Sequence, residues 1–181
     1  MDIAYLKCVQ DLIVSSPRNG NELRNLLYTA LEYKDGPFAI RYPKASSEEF
    51  DQNLQAELLP IGSWEVLQNG NDVAILAVGP LTYLALEAAE ELKKLDISCE
   101  VVNCRFIKPM DENYLEFMLE KFSSVLTIEE GVRSGGFGEG VLSWLSSNNY
   151  KGNSSIISLP DKFVEHGPRD LLLEKWGINK D

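Results

Sequence analysis

Apolar residues recur along this chain in two rhythms. Short, nearly unbroken runs at residues 12–14, 38–41, 73–78, 99–103, 125–128 and 154–159 read as buried strands. Between them the apolar positions return every three or four residues, which is the period of a helix facing a core. Residues 21–33 carry Leu23, Leu26, Leu27, Ala30 and Leu31 on one stripe, and residues 82–95 carry Leu84, Ala85, Ala88, Leu92 and Leu95. Further helices are predicted from the capping residue Asp111 through Lys121, over 138–146 and over 169–176. Residues 63–67 and 72–77 are β-prone and flank Gln68-Asn69-Gly70-Asn71. An Asn-Gly pair between apolar runs predicts a hairpin, so the sheet should open with an antiparallel edge pair.

This alternation predicts an α/β protein with a mostly parallel, doubly wound sheet over residues 60–181. The first part is shorter. A strand at 12–14, a helix at 21–33 and a strand at 38–41 make one β-α-β unit, broken by Gly36-Pro37, with parallel strands. Two strands and one helix cannot bury their apolar faces alone. Residues 1–45 therefore read as the tail of a larger domain, less well held than the rest. Residues 46–59 are polar and acidic, with Ser46, Ser47, Glu48, Glu49 and Asp51, and read as a linker.

Composition narrows the function. The chain has 181 residues, 44% hydrophobic and 25% charged, as a globular protein does. A net charge of -11 and a pI of about 4.6 argue against nucleic acid and anionic membranes as partners. No apolar run approaches the ~20 residues that cross a bilayer, and the first residues lack the apolar core of a signal peptide. Cys8, Cys99 and Cys104 have no CxxC spacing, which suits reduced thiols in the cytoplasm. A single histidine, His166, excludes a His-rich metal site, and excludes a Ser-His-Asp triad that does not use it.

The candidate chemistry sits at strand ends. In GPFAIRYPK, residues 36–44, the strand runs into Arg41, Tyr42, Pro43 and Lys44. Proline cannot donate to a sheet ladder, so the strand stops and sets two cations beyond its carboxyl end. Ligands of open α/β sheets bind there, and an anion such as phosphate suits Arg41 and Lys44; solvated surface charge is the alternative. Thr127-Ile128-Glu129-Glu130-Gly131 ends another strand, and Gly135-Gly136-Phe137-Gly138 opens a helix. Such a turn either brings backbone amides to a ligand or packs a helix tightly on a sheet. Glu129 and Glu130 would repel a phosphate there and are expected to pair with Arg105, Lys108 or Arg133. His166, in a turn-rich loop, is a proton carrier or a structural hydrogen-bonding group.

Taken in order, these residues resemble the 1-deoxy-D-xylulose-5-phosphate synthase family. DIAYLKC, SSPRNGNELRNLLYTAL and GPFAIRYPK are similar to the end of its pyrimidine-binding domain. VVNCRFIKPMD, TIEEG with GGFG, and LPDKF with HG are similar to its transketolase-type C-terminal domain. Dehydrogenase E1 β subunits and transketolases share part of this pattern and are the alternative, as is a stand-alone regulatory domain binding a small ligand at residues 135–138. The resemblance implies a three-layer C-terminal domain and a cytoplasmic homodimer. It implies an enzyme that uses thiamine diphosphate and Mg²⁺ to join pyruvate and glyceraldehyde 3-phosphate with loss of CO₂. It also implies that the basic residue after RYP helps hold the aldehyde's phosphate. Here that residue is Lys44, where the family usually has arginine, and lysine offers a point charge instead of a fork. The family's diphosphate- and Mg²⁺-binding domain has no counterpart in these residues. The resemblance thus implies a C-terminal fragment, inactive alone, with no catalytic or cofactor-binding residue of its own.

Overall fold

A computed structural model of the chain describes residues 2–44, 46–47 and 49–179. Glu48, named in the predicted linker, lies outside the described residues, as do Met1, Ala45, Lys180 and Asp181. The first elements are helix α1 (Asp2–Lys7), strand β1 (Ile13–Ser15), helix α2 (Gly20–Glu32) and strand β2 (Phe38–Ile40). β1 and β2 pair in parallel, Ile13 opposite Phe38, so the predicted β-α-β unit is present. α1 was not foreseen: six residues are too few to show a period.

α2 starts at Asn19, whose side chain accepts the Glu22 N–H at 2.9 Å. Its inward face differs from the predicted stripe. Glu22, Leu26 and Thr29 are buried, while Leu27 is 50% and Leu31 71% exposed. The reason is polar: Asn103 donates to Glu22 at 2.7 Å, and Thr29 accepts the Leu59 N–H at 2.9 Å. Counting leucines alone misses a face held by such bonds.

The described residues of the linker form no helix or strand, yet they are not loose. Asn21, Asn25 and Thr29, four residues apart on α2, accept the backbone N–H groups of Asp51, Glu57 and Leu59. Arg24 donates to the Asp51 carbonyl at 2.8 Å and lies over the Phe50 ring. The segment is strapped along the helix.

Next come β3 (Glu65–Gln68), β4 (Val73–Ala77), α3 (Leu81–Lys93), β5 (Cys99–Asn103) and β6 (Phe106–Lys108). They are followed by α4 (Glu112–Lys121), β7 (Ser124–Val132), α5 (Phe137–Ser147), β8 (Asn153–Leu159) and α6 (Arg169–Lys175). A five-stranded sheet runs β3-β5-β4-β7-β8, with β5, β4, β7 and β8 parallel. α3 and α6 cover one face, where Ile75, Ala77 and Val101 meet Leu81 and Leu173. On the other face Leu76 and Val102 meet Leu115 of α4 and Val141 of α5. The three layers follow from the alternation of side chains along each strand.

The antiparallel edge exists, but the predicted hairpin does not. β3 pairs with β5, Glu65 opposite Asn103, and β5 separates β3 from β4. The Asn69-Gly70 turn instead crosses the start of β5. Asn71 and Asp72 donate backbone N–H groups to the Ser98 carbonyl, and a Cβ on Gly70 would stand 2.1 Å from the Cys99 carbonyl carbon. A glycine that looked like a tight-turn residue is there to let two backbones touch.

β6 was also missed. It leaves the second sheet and pairs antiparallel with β1, Val14 opposite Lys108, which makes a three-stranded sheet β2-β1-β6. β1 is thus central, Val14 is fully buried, and Leu12 and Val14 share a core with Trp64 and Ile107. The expectation of a poorly held first segment counted only that segment's own contacts.

Candidate functional site

β2 ends where expected. The Arg41 N–H still bonds the Ser15 carbonyl at 2.8 Å, and the chain then turns through Tyr42 and Pro43. The Arg41 guanidinium is held on one edge: Nε donates to Asp2 Oδ2 at 2.5 Å, and Nη2 donates to the Glu130 carbonyl. Nη1 makes no hydrogen bond among the described residues. Burial pushes the Asp2 carboxyl up, but the Arg41 charge and hydrogen bond outweigh this and hold it below its ordinary value. Lys44 is exposed and has no hydrogen bond or ion pair among the described residues. The two predicted cations thus differ: Arg41 is lodged between α1 and β7, and Lys44 faces solvent.

The end of β7 is built around a buried carboxylate. Glu129 is fully buried and accepts the N–H groups of Phe137 at 3.0 Å and Gly138 at 2.8 Å. These are the first amides of α5, which an incoming anion would otherwise take. Burial raises the Glu129 pKa; the Gly138 and Phe137 amides and the charges of Arg41 and Lys7 pull it back without cancelling the rise. The glycines serve packing. A Cβ on Gly136 would stand 2.5 Å from the Val132 carbonyl, and one on Gly138 would stand 2.4 Å from Thr127 Oγ1. Of the two readings of this turn, tight helix-sheet packing is the one present.

Glu130 pairs with Arg169, whose Nε lies 2.9 Å from Oε1, and not with Arg105, Lys108 or Arg133. β8 lies beside β7, and α6 follows β8, so Arg169 arrives over the β7 end from far along the chain. Arg105 instead bonds the Ser63 carbonyl and pairs with Glu22 and Glu65; Lys108 bonds the carbonyls of Lys7 and Val9. His166 is exposed in its loop and has no hydrogen-bond partner among the described residues. Sequence reasoning missed Asp2 and Lys7. Both lie on the unforeseen α1, and Lys7 Nζ donates to the Gly136 carbonyl at 2.9 Å.

The crevice where an open sheet binds its ligand lies at the ends of β4 and β7, whose loops lead to opposite faces. Here the first segment fills it. Gly79, at φ +63, approaches Ser16 so closely that a Cβ would stand 2.8 Å from Ser16 Oγ. Among the described residues no group of three or more His, Cys, Asp or Glu could hold a metal ion. No helix among them is long and apolar enough to cross a membrane.

The architecture is that of one protein family: this chain belongs to the transketolase C-terminal domains, whose family model matches residues 62–181. Across 99% of its length it is similar to 1-deoxy-D-xylulose-5-phosphate synthases, as its motifs suggested. The synthases of Bacillus cereus (strain AH820) and Bacillus anthracis (strain A0248) are each 43% identical to it over 183 residues. The chain spans 29% of the length of these curated relatives. Among solved structures it is similar to a chain described as "Split gene transketolase, inactive beta4 tetramer". That match has a TM-score of 0.88 and 30% identity, over 99% of this chain and 57% of that one.

Proposed function

We propose that this chain serves as the C-terminal part of a thiamine-diphosphate-dependent 1-deoxy-D-xylulose-5-phosphate synthase. The whole enzyme joins pyruvate and glyceraldehyde 3-phosphate. Pyruvate loses its carboxylate as CO₂, and the remaining two-carbon unit forms a bond to the aldehyde carbon. The identity to synthases across almost the whole chain favours this over a dehydrogenase or transketolase piece. The described residues bring together no three His, Cys, Asp or Glu that could hold a metal ion, and Glu129 and Glu130 at the end of β7 would repel a diphosphate. Ligands for that cofactor come from other polypeptide, and the chain alone is inactive. The enzyme works in the cytoplasm as a homodimer, as the resemblance to the synthases implies.

This chain's own part is to hold the anionic end of the aldehyde. One observation carries that reading: the Arg41 guanidinium is fixed at the carboxyl end of β2 by Asp2 and the Glu130 carbonyl, with Nη1 making no hydrogen bond among the described residues. Such a group meets a phosphate already oriented. Lys44, three residues on and without an ion pair among the described residues, adds a second cation. Calorimetric titration of the chain with thiamine diphosphate and Mg²⁺ tests the division of labour. No binding is expected from the chain alone, and turnover only from the full-length enzyme. Micromolar binding by the chain alone overturns the reading.

A further inference from the structure

A cleft of about 520 Å³ opens where the β1–α2 turn, the segment after β2, the start of α3 and helix α6 converge. That volume lies within the ~300–1,000 Å³ of small-molecule sites. Neither Arg41 nor Lys44 lines it. We propose that this cleft binds a small organic monoanion with an apolar body, such as an aromatic carboxylate or sulfonate.

The lining states the chemistry. Leu23, Pro80 and Leu84 give the cleft an apolar surface, and behind it Leu81 and Leu173 belong to the core under α3. Burying an apolar body there supplies most of the attraction. Arg18 supplies the cation; Arg169 and Asp170 also line the cleft, but Arg169 is already paired with Glu130 and Asp170. The Arg18 Nη2 is 3.8 Å from Glu65 Oε1, too far for a hydrogen bond, and its Nε is shut off from solvent with no hydrogen-bond partner among the described residues. A guanidinium so weakly committed gains a charge-assisted bond when an anion arrives. Glu87 and Glu174 also line the cleft. Their charges oppose a second negative group on the ligand, which selects a monoanion over a phosphate.

The walls are set before any ligand enters. Asn19 Nδ2 donates to the Tyr83 hydroxyl at 3.1 Å and to Glu49 Oε2 at 2.6 Å, tying the cap of α2 to α3 and to the strap. Gly20 N–H donates to Ser47 Oγ at 2.7 Å and holds the strap at the rim. A preformed site loses little on binding.

The test uses 1-anilinonaphthalene-8-sulfonate, one sulfonate on an aromatic body, titrated into the 181-residue chain. Fluorescence should saturate at one site, with amide shift changes centred on Leu81, Leu84 and Leu173. Leu84→Trp, which fills the floor, should weaken binding at least about tenfold, and Arg18→Gln about fivefold. Glu87→Gln should tighten it about twofold. Equal concentrations of sulfate should not displace the probe. The proposal fails if binding does not saturate, if the shifts lie elsewhere, or if sulfate competes fully. It also fails if both weakening variants melt normally and bind as before. Should a variant unfold, the shift map of the unmodified chain decides.

Discussion

Glu129 Oε1 accepts the backbone N–H of Gly138 at 2.8 Å, so the end of β7 caps the helix that follows it. The second oxygen takes the Phe137 N–H. Glu129→Ala leaves both buried amides without an acceptor and should lower stability by about 1–3 kcal/mol. The measurement is the urea midpoint at constant slope.

The same carboxyl makes stability depend on pH. Burial raises its folded pKa, whereas in the unfolded chain it titrates near ~4.3. The folded chain then binds the proton more tightly. The resulting stabilisation is fully present below the unfolded value and is lost as pH rises through the raised folded one. Glu22 shifts in the same direction, again through burial first. Midpoints measured from about pH 4 to 7 should fall with pH. Glu129→Gln should flatten the fall, and the double variant with Glu22→Gln should flatten it further.

In the full-length enzyme, Lys44→Ala should raise KM for glyceraldehyde 3-phosphate and leave that for pyruvate nearly unchanged. A lost charge-assisted hydrogen bond of ~1.5–3 kcal/mol lowers kcat/KM roughly 10- to 150-fold. Lys44→Arg should keep or improve activity, because a guanidinium can grip two phosphate oxygens. Arg41→Ala should act in the same direction and also lower the melting temperature, since it strips partners from Asp2 and the Glu130 carbonyl. Equal changes in both Michaelis constants would assign Lys44 to the surface.

The strap has its own signature. Thr29→Val keeps the shape of the side chain but removes the acceptor of the Leu59 N–H. About 1 kcal/mol of stability should go with it, and hydrogen exchange at Leu59 should quicken while α2 stays protected. Unchanged exchange at Leu59 would mean that the strap is held elsewhere.

Gly70→Ala should be among the most damaging single-methyl changes, costing about 3 kcal/mol, because backbone and not a flexible side chain stands in the way. A hairpin glycine in open space would tolerate the same change far better, so the melting temperature of this variant separates the crossing turn from the hairpin.

The contrast at Gly70 shows what the chain discloses in advance. Strands β4, β5, β7 and β8 were legible as unbroken apolar runs, and helices α2 and α3 as apolar positions returning every three or four residues. Asp111 declared itself as a cap, and it accepts the Tyr114 N–H at 3.0 Å. The pairing of β3 was not legible, since Asn-Gly signals a turn without saying which strand lies beyond it. α1 and β6 are too short to carry a period. At the candidate site, Arg41 and Lys44 stood out because a proline stops their strand. Asp2, Arg169 and the capping role of Glu129 depend on contacts between distant residues, and no local pattern encodes those.

β6 belongs by position to the second half of the chain and by hydrogen bonding to the first. The family match begins at residue 62, so the matched unit includes a strand whose ladder lies outside it. Residues 62–181 could be transplanted intact only beside a host strand that offers Phe106–Lys108 what β1 offers here. The family model and the hydrogen bonds draw their borders at different residues of this chain.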